Sequence, residues 1–293
     1  MMRSRPLAVA FSAIALLAVP AGVATASEPA AIPYIMPEAE TWDMTSGDGQ
    51  VFRISVSRPA APAPEGGYPV LYVLDGNAMF AGFAEARRIH GFGTGGIDKM
   101  IVVGVGHPGD QIYDSRRMFD FTAPIETPAL KRAYAGHKSG GRDRFLKFLL
   151  DELRPAIGKR YSVDPHRQSL YGHSLGGLFA LHVLYSRPGA FRTIIATSPS
   201  IWWDDQSILA EEQAFRARVE KDPALGRTSR LLLMAGALED GTMAADAGAL
   251  AKRMEALSAY GLRVEYMLLD DETHISVPSR SVTASLRAAA SRR

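Results

Sequence analysis

The serine at position 174 lies in the pattern Gly172-His173-Ser174-Leu175-Gly176, with an apolar run before it and the helix-like stretch LFALHVLYS after it. A G-x-S-x-G pattern in that context is typical of a sharp strand-to-helix turn that exposes a nucleophilic hydroxyl. We expect glycine at 172 and at 176 because a side chain at either position would collide with the turn. The pattern predicts that Ser174 attacks a substrate carbonyl and forms an acyl-enzyme.

A serine nucleophile needs a base, and His274 is the predicted one. It follows the last apolar run and comes after Ser174, in the order serine, acid, histidine that this turn usually keeps. His173 lies within the motif and is expected to point away from the Ser174 side chain. The predicted acid is Glu239, with Asp240 as the alternative, because both follow the apolar run RLLLMAG. A pair of merely solvated turn carboxylates would give the same pattern.

Backbone N–H groups are predicted to bind the negative charge that forms on the substrate oxygen. The N–H of Leu175 begins the helix after the serine, where a helix favours negative charge. A second donor is expected in the loop after an early strand, and VLYVLDGNAMF places Asn77 there. An ordinary Asp-Gly turn is the alternative explanation of those residues.

Short, nearly continuous apolar runs alternate with helical patterns along the chain. The runs are residues 69–75, 99–105, 168–172, 192–198, 230–236 and 264–270. Such runs are typical of strands covered on both faces of a parallel sheet. The sequence predicts an α/β fold in a single domain over residues 41–293, with a mostly parallel central sheet, helices on both faces and an N-terminal β-hairpin. Residues 202–228 form a long connection, a candidate lid or cap over a site.

The N-terminal segment, residues 1–26, has the features of a cleaved export signal. Two arginines precede an apolar stretch over residues 7–19, and small residues follow at 24–26. The apolar stretch is short of the roughly 20 residues that a spanning helix needs. Residues 27–40 are predicted to be a flexible lead-in. The mature chain is therefore expected to be periplasmic or secreted, with no membrane span.

The composition excludes several classes of site and partner. The formal net charge is +2, and loss of the export signal with its two arginines brings it to zero, so we expect no nucleic-acid partner. The chain has no cysteine, which excludes thiolate nucleophiles, cysteine metal sites and disulfides. We expect no metal and no organic cofactor, and the predicted partner is a small-molecule ester.

Several stretches together resemble one family. The sequences LYVLDGNAMF, YDSRRMFDFTAP, SLYGHSLGGLFALHVLYSRPGAFRTIIATSPSIWW and DETHISVP are similar to the putative-esterase family of α/β-hydrolases. Within that family they resemble the branch of siderophore trilactone esterases that acts on enterobactin, salmochelin or bacillibactin. The resemblance runs from about residue 41 to the C-terminal helix. It implies the α/β-hydrolase fold and an esterase that opens a polyester of catecholoyl-serine units, with a ferric siderophore as a potential substrate.

The resemblance also implies substrate-binding residues. Members of the branch place an arginine of the RRMFDFT-like motif near the substrate, which here is Arg116 or Arg117, and a guanidinium suits carbonyl or catecholate oxygens. A structural salt bridge with Asp120 or another acid is the alternative. By the same analogy Trp202 and Trp203 line the acyl-side pocket, and the alternative is that both are core residues. In part of the branch the acid is displaced, which leaves a Ser-His dyad.

The predicted function is that of a serine esterase acting on a catecholate siderophore trilactone. A second enzymatic interpretation keeps the site but changes the substrate, to acetyl or feruloyl esters of carbohydrates or to acyl transfer to an alcohol. An interpretation of another class is a non-catalytic siderophore-binding protein on a hydrolase scaffold. The fold and triad fix acyl chemistry, whereas the shape of the pocket fixes the substrate, so the sequence alone leaves these open.

Overall fold

The structure is a computed structural model that describes residues 31–91, 97 and 99–291. The predicted export signal lies outside the described residues. The chain divides into two units, residues 1–36 and residues 37–293. In the first unit the described residues, 31–36, contain no helix or strand. The second unit contains every element named below, and its first strand begins at Ala39, inside the segment predicted as a lead-in.

The second unit alternates strands with helices. Its strands are β1 (Ala39–Thr45), β2 (Val51–Ser57), β3 (Tyr68–Leu74), β4 (Ile101–Gly106), β5 (Val163–His173), β6 (Thr193–Thr197), β7 (Arg230–Gly236) and β8 (Arg263–Leu269). Its helices are α1 (Gly76–His90), α2 (Arg116–Phe121), α3 (Pro128–Ala133), α4 (Arg142–Lys147), α5 (Arg154–Arg160), α6 (Leu175–Ser186), α7 (Trp203–Gln206), α8 (Ile208–Lys221), α9 (Met243–Glu255) and α10 (Val277–Ala290). A π-helical segment joins α4 to α5, and short 3₁₀ turns precede β7 and β8.

The strands form one sheet in the order β1-β2-β4-β3-β5-β6-β7-β8. Strands β1 and β2 are an antiparallel hairpin, and β2 also runs antiparallel to β4. The other six strands, β3 to β8, are all parallel to one another. This confirms the predicted α/β fold with its N-terminal hairpin. Each predicted apolar run is a strand of the sheet. Because strands β3 to β8 are parallel, the loops at their carboxyl ends meet at one edge of the sheet.

Side chains of the central strands alternate between two apolar layers, as successive residues of a strand must. In β3, Val70, Tyr72 and Leu74 face the layer that contains α6 and α8, while Leu71 and Val73 face the layer that contains α1 and α10. Both faces of the central sheet are therefore covered by helices, and this explains the absence of polar alternation in those runs. Within the described residues, no helix is both long and apolar enough to cross a membrane.

Two sequence predictions need correction. The run 264–270 is not covered on both faces, because Met267 and Leu268 are exposed and none of the residues of β8 is fully buried; β8 also lies at the edge of the described sheet, beside β7. The segment 202–228, predicted as a candidate lid, consists mostly of α8. That helix connects β6 to β7 and packs against α6 through a buried stripe, so most of the segment is a layer of the fold.

Candidate active site

Ser174 lies at the turn between β5 and α6 with φ 58° and ψ −120°, a conformation that non-glycine residues rarely adopt. A Cβ at Gly172 would lie 2.0 Å from the carbonyl oxygen of Gly176, so glycine is required there, as predicted. A Cβ at Gly176 would meet nothing closer than 3.4 Å, so the prediction that this position also needs glycine is wrong. The glycine required on the helix side is Gly177, where a Cβ would lie 2.9 Å from the carbonyl oxygen of Thr197.

The structure brings the three predicted triad residues together. Ser174 Oγ lies 3.1 Å from Nε2 of His274, and Nδ1 of His274 lies 3.0 Å from Oε2 of Glu239. The serine follows β5, the carboxylate follows β7 and the histidine follows β8, so parallel strands deliver all three to one edge of the sheet. Such a chain can carry a proton from a hydroxyl to an imidazole that a carboxylate orients.

Glu239 is held in place by more than the histidine. Its Oε1 accepts hydrogen bonds from the hydroxyl of Ser198 and, at 2.6 Å, from the N–H of Gly236. Burial acts to raise the pKa of Glu239, but the hydrogen bonds from His274, Ser198 and Gly236 outweigh it and lower the pKa below its usual range. The carboxylate is therefore ionised at neutral pH. Asp240, the alternative acid, is exposed, and it is Glu239 that contacts the imidazole.

The predicted oxyanion donors lie at two helix starts. Asn77 belongs to the first turn of α1 and Leu175 to the first turn of α6, where backbone N–H groups have no acceptor within the helix. These helices follow β3 and β5, which are neighbours in the sheet. The Asn77 side chain is fixed to the loop after β4, because its Nδ2 donates to the carbonyl of His107 at 3.0 Å and its Oδ1 accepts from the N–H of His107 at 2.9 Å.

The two predicted arginines have different surroundings. Arg117 forms a two-pronged ion pair with Asp75, with distances of 2.7 and 2.9 Å, and its Nη2 also lies 3.4 Å from the carbonyl oxygen of His173. Burial acts against the charge of Arg117, but the Asp75 carboxylate outweighs it and raises the pKa of the guanidinium. Arg116 instead packs on β2, where it donates to the carbonyl of Val51. Arg117 is therefore the arginine beside the nucleophile turn.

Asp120 is not the partner of either arginine. Its Oδ2 lies 2.9 Å from Nε2 of His107, and both side chains are buried. Because the backbone of His107 also holds the side chain of Asn77, this pair connects α2 to the turn that carries the second predicted oxyanion donor.

The two tryptophans also differ. Trp202 is 37% exposed and follows the segment that contains Ser200, whose Oγ lies 3.3 Å from Oγ of Ser174. Trp203 is only 2% exposed and packs against Tyr134 with a ring separation of 5.2 Å. The prediction that Trp203 lines a substrate pocket is therefore wrong, because its ring belongs to the core.

Sequence reasoning did not identify several contributors to this region. Ser198 and Ser200 belong to the SPSIWW stretch, where the Ser198 hydroxyl donates to Glu239 and the Ser200 hydroxyl lies against that of Ser174; their place in that family-like stretch is the signal that the sequence offers. The structure also shows exposed apolar side chains on the segments that follow β4, β6, β7 and β8. We call this set the apolar rim; its members are Ile112, Tyr113, Trp202, Leu238 and Ile275. Of this set, Trp202 was predicted from the family resemblance, whereas isolated apolar residues in polar loops, such as Ile112 and Leu238, give no signal in the sequence.

A model of the esterase family, described as "Putative esterase", matches residues 49–274, which include the whole site from Asn77 to His274. The chain belongs to this family. This esterase is 36% identical over 263 residues to the ferri-bacillibactin esterase BesA of Bacillus subtilis (strain 168), which covers 87% of this chain and 90% of that protein. It is 39% identical over 195 residues to the siderophore triacetylfusarinine C esterase of Aspergillus fumigatus, covering 62% and 63% of the two chains.

A solved structure gives the same result for the fold. The crystal structure of the BES protein from Bacillus cereus superposes on this esterase with a TM-score of 0.81 at 33% identity, and the match covers 89% of this chain and 99% of that one. The esterase therefore has the α/β-hydrolase fold and is an enzyme that acts on esters.

Proposed function

We propose that this esterase hydrolyses siderophore esters by acyl-enzyme chemistry, with Ser174 as nucleophile, His274 as general base and acid, and Glu239 as the orienting carboxylate. The observation that carries the proposal is the continuous chain of contacts from Ser174 Oγ through both ring nitrogens of His274 to Glu239. In this chain the carboxylate holds the imidazole so that the nitrogen facing the serine is the unprotonated one.

In the acylation step, Ser174 Oγ attacks the carbonyl carbon of the ester while its proton passes to Nε2 of His274. The negative charge on the carbonyl oxygen is bound by the N–H groups of Leu175 and Asn77, at the positive ends of α6 and α1. The tetrahedral species then collapses, the bond to the alcohol oxygen breaks, and His274 gives its proton to that oxygen. The products of this step are a free alcohol and an ester between the substrate acid and Ser174.

In the deacylation step, a water molecule takes the place of the alcohol. His274 removes a proton from the water, the hydroxide oxygen attacks the acyl carbon, and the same two N–H groups bind the oxyanion. Collapse releases the carboxylic acid and returns the proton to Ser174 Oγ. Glu239 stays ionised throughout and stabilises the imidazolium that forms twice in each cycle.

The substrate class is supported by the relatives and by the surroundings of the serine. The named relatives are esterases of ferri-bacillibactin and of the siderophore triacetylfusarinine C. The apolar rim offers flat and aliphatic surface for a bulky substrate, and Trp202 is exposed two residues after Ser200, whose hydroxyl lies 3.3 Å from that of Ser174. Since the pair with Asp75 uses Nε and Nη2 of Arg117, Nη1 is the part of the guanidinium left for an anionic or carbonyl oxygen. We propose a catecholate trilactone as the member of this class.

We also propose that the protein is exported and acts in the periplasm or outside the cell. The support is the basic, then apolar, then small-residue pattern of residues 1–26. Mass spectrometry of the protein recovered from a periplasmic extract tests this, with a mature N-terminus at residue 27 as the expected result. Recovery of the intact chain from the cytosol would contradict it.

The test of the activity uses the purified mature protein with iron-free enterobactin, ferric enterobactin and a p-nitrophenyl ester, and follows the products by chromatography. We expect the wild type to release catecholoyl-serine fragments, and we expect the rate of their release to fall by several orders of magnitude in Ser174→Ala. Ser200→Ala is the matched control, because the Ser200 hydroxyl lies 3.3 Å from that of Ser174 and is the other hydroxyl in reach to act as nucleophile. We expect this variant to lose less than about tenfold in rate. Cleavage of the p-nitrophenyl ester alone would contradict the proposal that a siderophore is the substrate. Binding of the siderophore without turnover would contradict the proposal that the protein hydrolyses it.

A further inference from the structure

His173, the last residue of β5, is buried directly against the proposed base. Its side chain is 3% exposed, and its ring lies 4.6 Å from the ring of His274 with an angle of 35° between the planes. Its carbonyl oxygen lies 3.4 Å from Nη2 of Arg117. The side chain of the residue before the nucleophile therefore packs against the histidine that contacts the nucleophile.

Among the described residues no side chain hydrogen-bonds to the ring nitrogens of His173, whereas the backbone of His274 lies close enough to favour the protonated form of the ring. Burial, followed by the charges of His274 and Arg117, lowers the pKa of His173 to about 3, so the ring is neutral at working pH. An unpaired buried polar group costs free energy, and an apolar side chain of similar size would avoid that cost. A purely structural role therefore gives little reason for histidine here.

We propose that His173 is a positioning residue whose neutral aromatic face stabilises the protonated form of His274 during ester hydrolysis. The proposal rests on the proposed role of His274 as base. An aromatic ring within about 6 Å of a cation attracts it, and most strongly where water is excluded. When His274 takes the proton of Ser174, the resulting imidazolium lies between the Glu239 carboxylate on one side and the face of His173 on another.

Other charged groups face this pair of rings and must be kept constant. Glu239, on the loop after β7, contacts His274, and Arg117, on α2, contacts the backbone of His173. On the loop of His274 itself, the carboxylate of Glu272 pairs instead with Arg280, at 3.8 Å. None of these groups changes when only the side chain of residue 173 is replaced. A change in pH dependence in such a variant is therefore assigned to the ring.

The experiment compares the pH profiles of kcat/KM of the full mature protein and its variants on a p-nitrophenyl ester. In His173→Leu the acidic limb is expected to move to lower pH by about one unit, with a severalfold lower plateau, because the imidazolium loses the aromatic face. In His173→Phe, which keeps an aromatic face and lacks the nitrogens, most of this shift is expected to be recovered. If His173→Leu does not fold, His173→Gln replaces it with the same expected shift.

The matched control is His182→Leu. His182 is also a buried histidine, on α6, but its Nδ1 lies 2.7 Å from Glu211 and its ring packs on Phe179. We expect this variant to lose stability and to keep the acidic limb where it is. An unshifted limb in His173→Leu, or an equal shift in His182→Leu, would overturn the proposal. Hydrolysis that survives in Ser174→Ala would instead overturn the proposed function, so the two failures are distinguishable.

Discussion

Because His173 is buried and neutral, it makes the free energy of unfolding depend on pH, and the substitution His173→Phe isolates this contribution. Burial, together with the charges of His274 and Arg117, lowers the pKa of His173 from its usual 6.5 to about 3 in the folded protein. Between these values the unfolded chain binds a proton that the folded chain does not. The contribution of His173 to stability is therefore fully present above pH 6.5 and is lost progressively as the pH falls toward 3. His173→Phe removes this titration.

The size of the effect follows from the two values. At pH 4.5 the unfolded chain is protonated at His173 almost completely and the folded chain hardly at all. One pKa unit corresponds to 1.36 kcal/mol, so the free energy of unfolding falls by about 3 kcal/mol between pH 7.5 and pH 4.5 through this residue alone. Urea unfolding of the wild type and of His173→Phe at both pH values gives the fall in the free energy of unfolding for each protein. The difference between the two falls is the contribution of His173, because the contributions of Glu239 and other carboxylates are common to both proteins and cancel. Equal losses in the two proteins would refute the reasoning.

The triad and the turns yield further expected outcomes. Glu239→Gln keeps the shape of the side chain but removes the charge that orients the imidazole, so kcat/KM is expected to fall about 10³- to 10⁴-fold in steady-state assays, whereas Asp240→Asn has little effect. Gly172→Ala is expected to lower the free energy of unfolding by about 3 kcal/mol or more, because its Cβ would overlap a backbone oxygen. Gly176→Ala is expected to lower it by less than about 1 kcal/mol, because a Cβ at that position would meet nothing closer than 3.4 Å. Urea titrations of both variants test this contrast. Asp205 has φ 56° and ψ 45°, so Asp205→Gly should raise the melting temperature by relieving about 1 kcal/mol of left-handed strain, and Asp205→Ala should not.

The parts of the molecule that the sequence predicted depend on local patterns. The apolar runs identified the central strands because a residue in a covered parallel strand is buried whichever face it points to. Ser174, His274 and Glu239 could be selected because each follows a run, and parallel strands bring such loops to one edge. The same rule misjudged residues 264–270, since an apolar run does not show whether other elements pack on both faces of the strand.

The parts that were missed depend on contacts between distant segments. Gly177 is required because of the carbonyl of Thr197, twenty residues away, and no local pattern distinguishes it from Gly176. Trp202 and Trp203 are adjacent and identical in type, yet one ring is exposed and the other lies against Tyr134. The burial of a side chain is decided by what packs on it, and the sequence does not list those partners.

The pair between Arg117 and Asp75 unites the two turns on which the proposed chemistry depends. Asp75 ends the loop after β3 and directly precedes the helix start that contains Asn77, while the carbonyl of His173, one residue before Ser174, lies near the same guanidinium. A planar fork with several fixed donors can hold both turns at one spacing, which a flexible ammonium cannot. Since the two N–H groups that would bind the oxyanion belong to these turns, the distance between them depends on this guanidinium. The arginine expected from family resemblance to contact substrate is thus also a part of the frame that shapes the site.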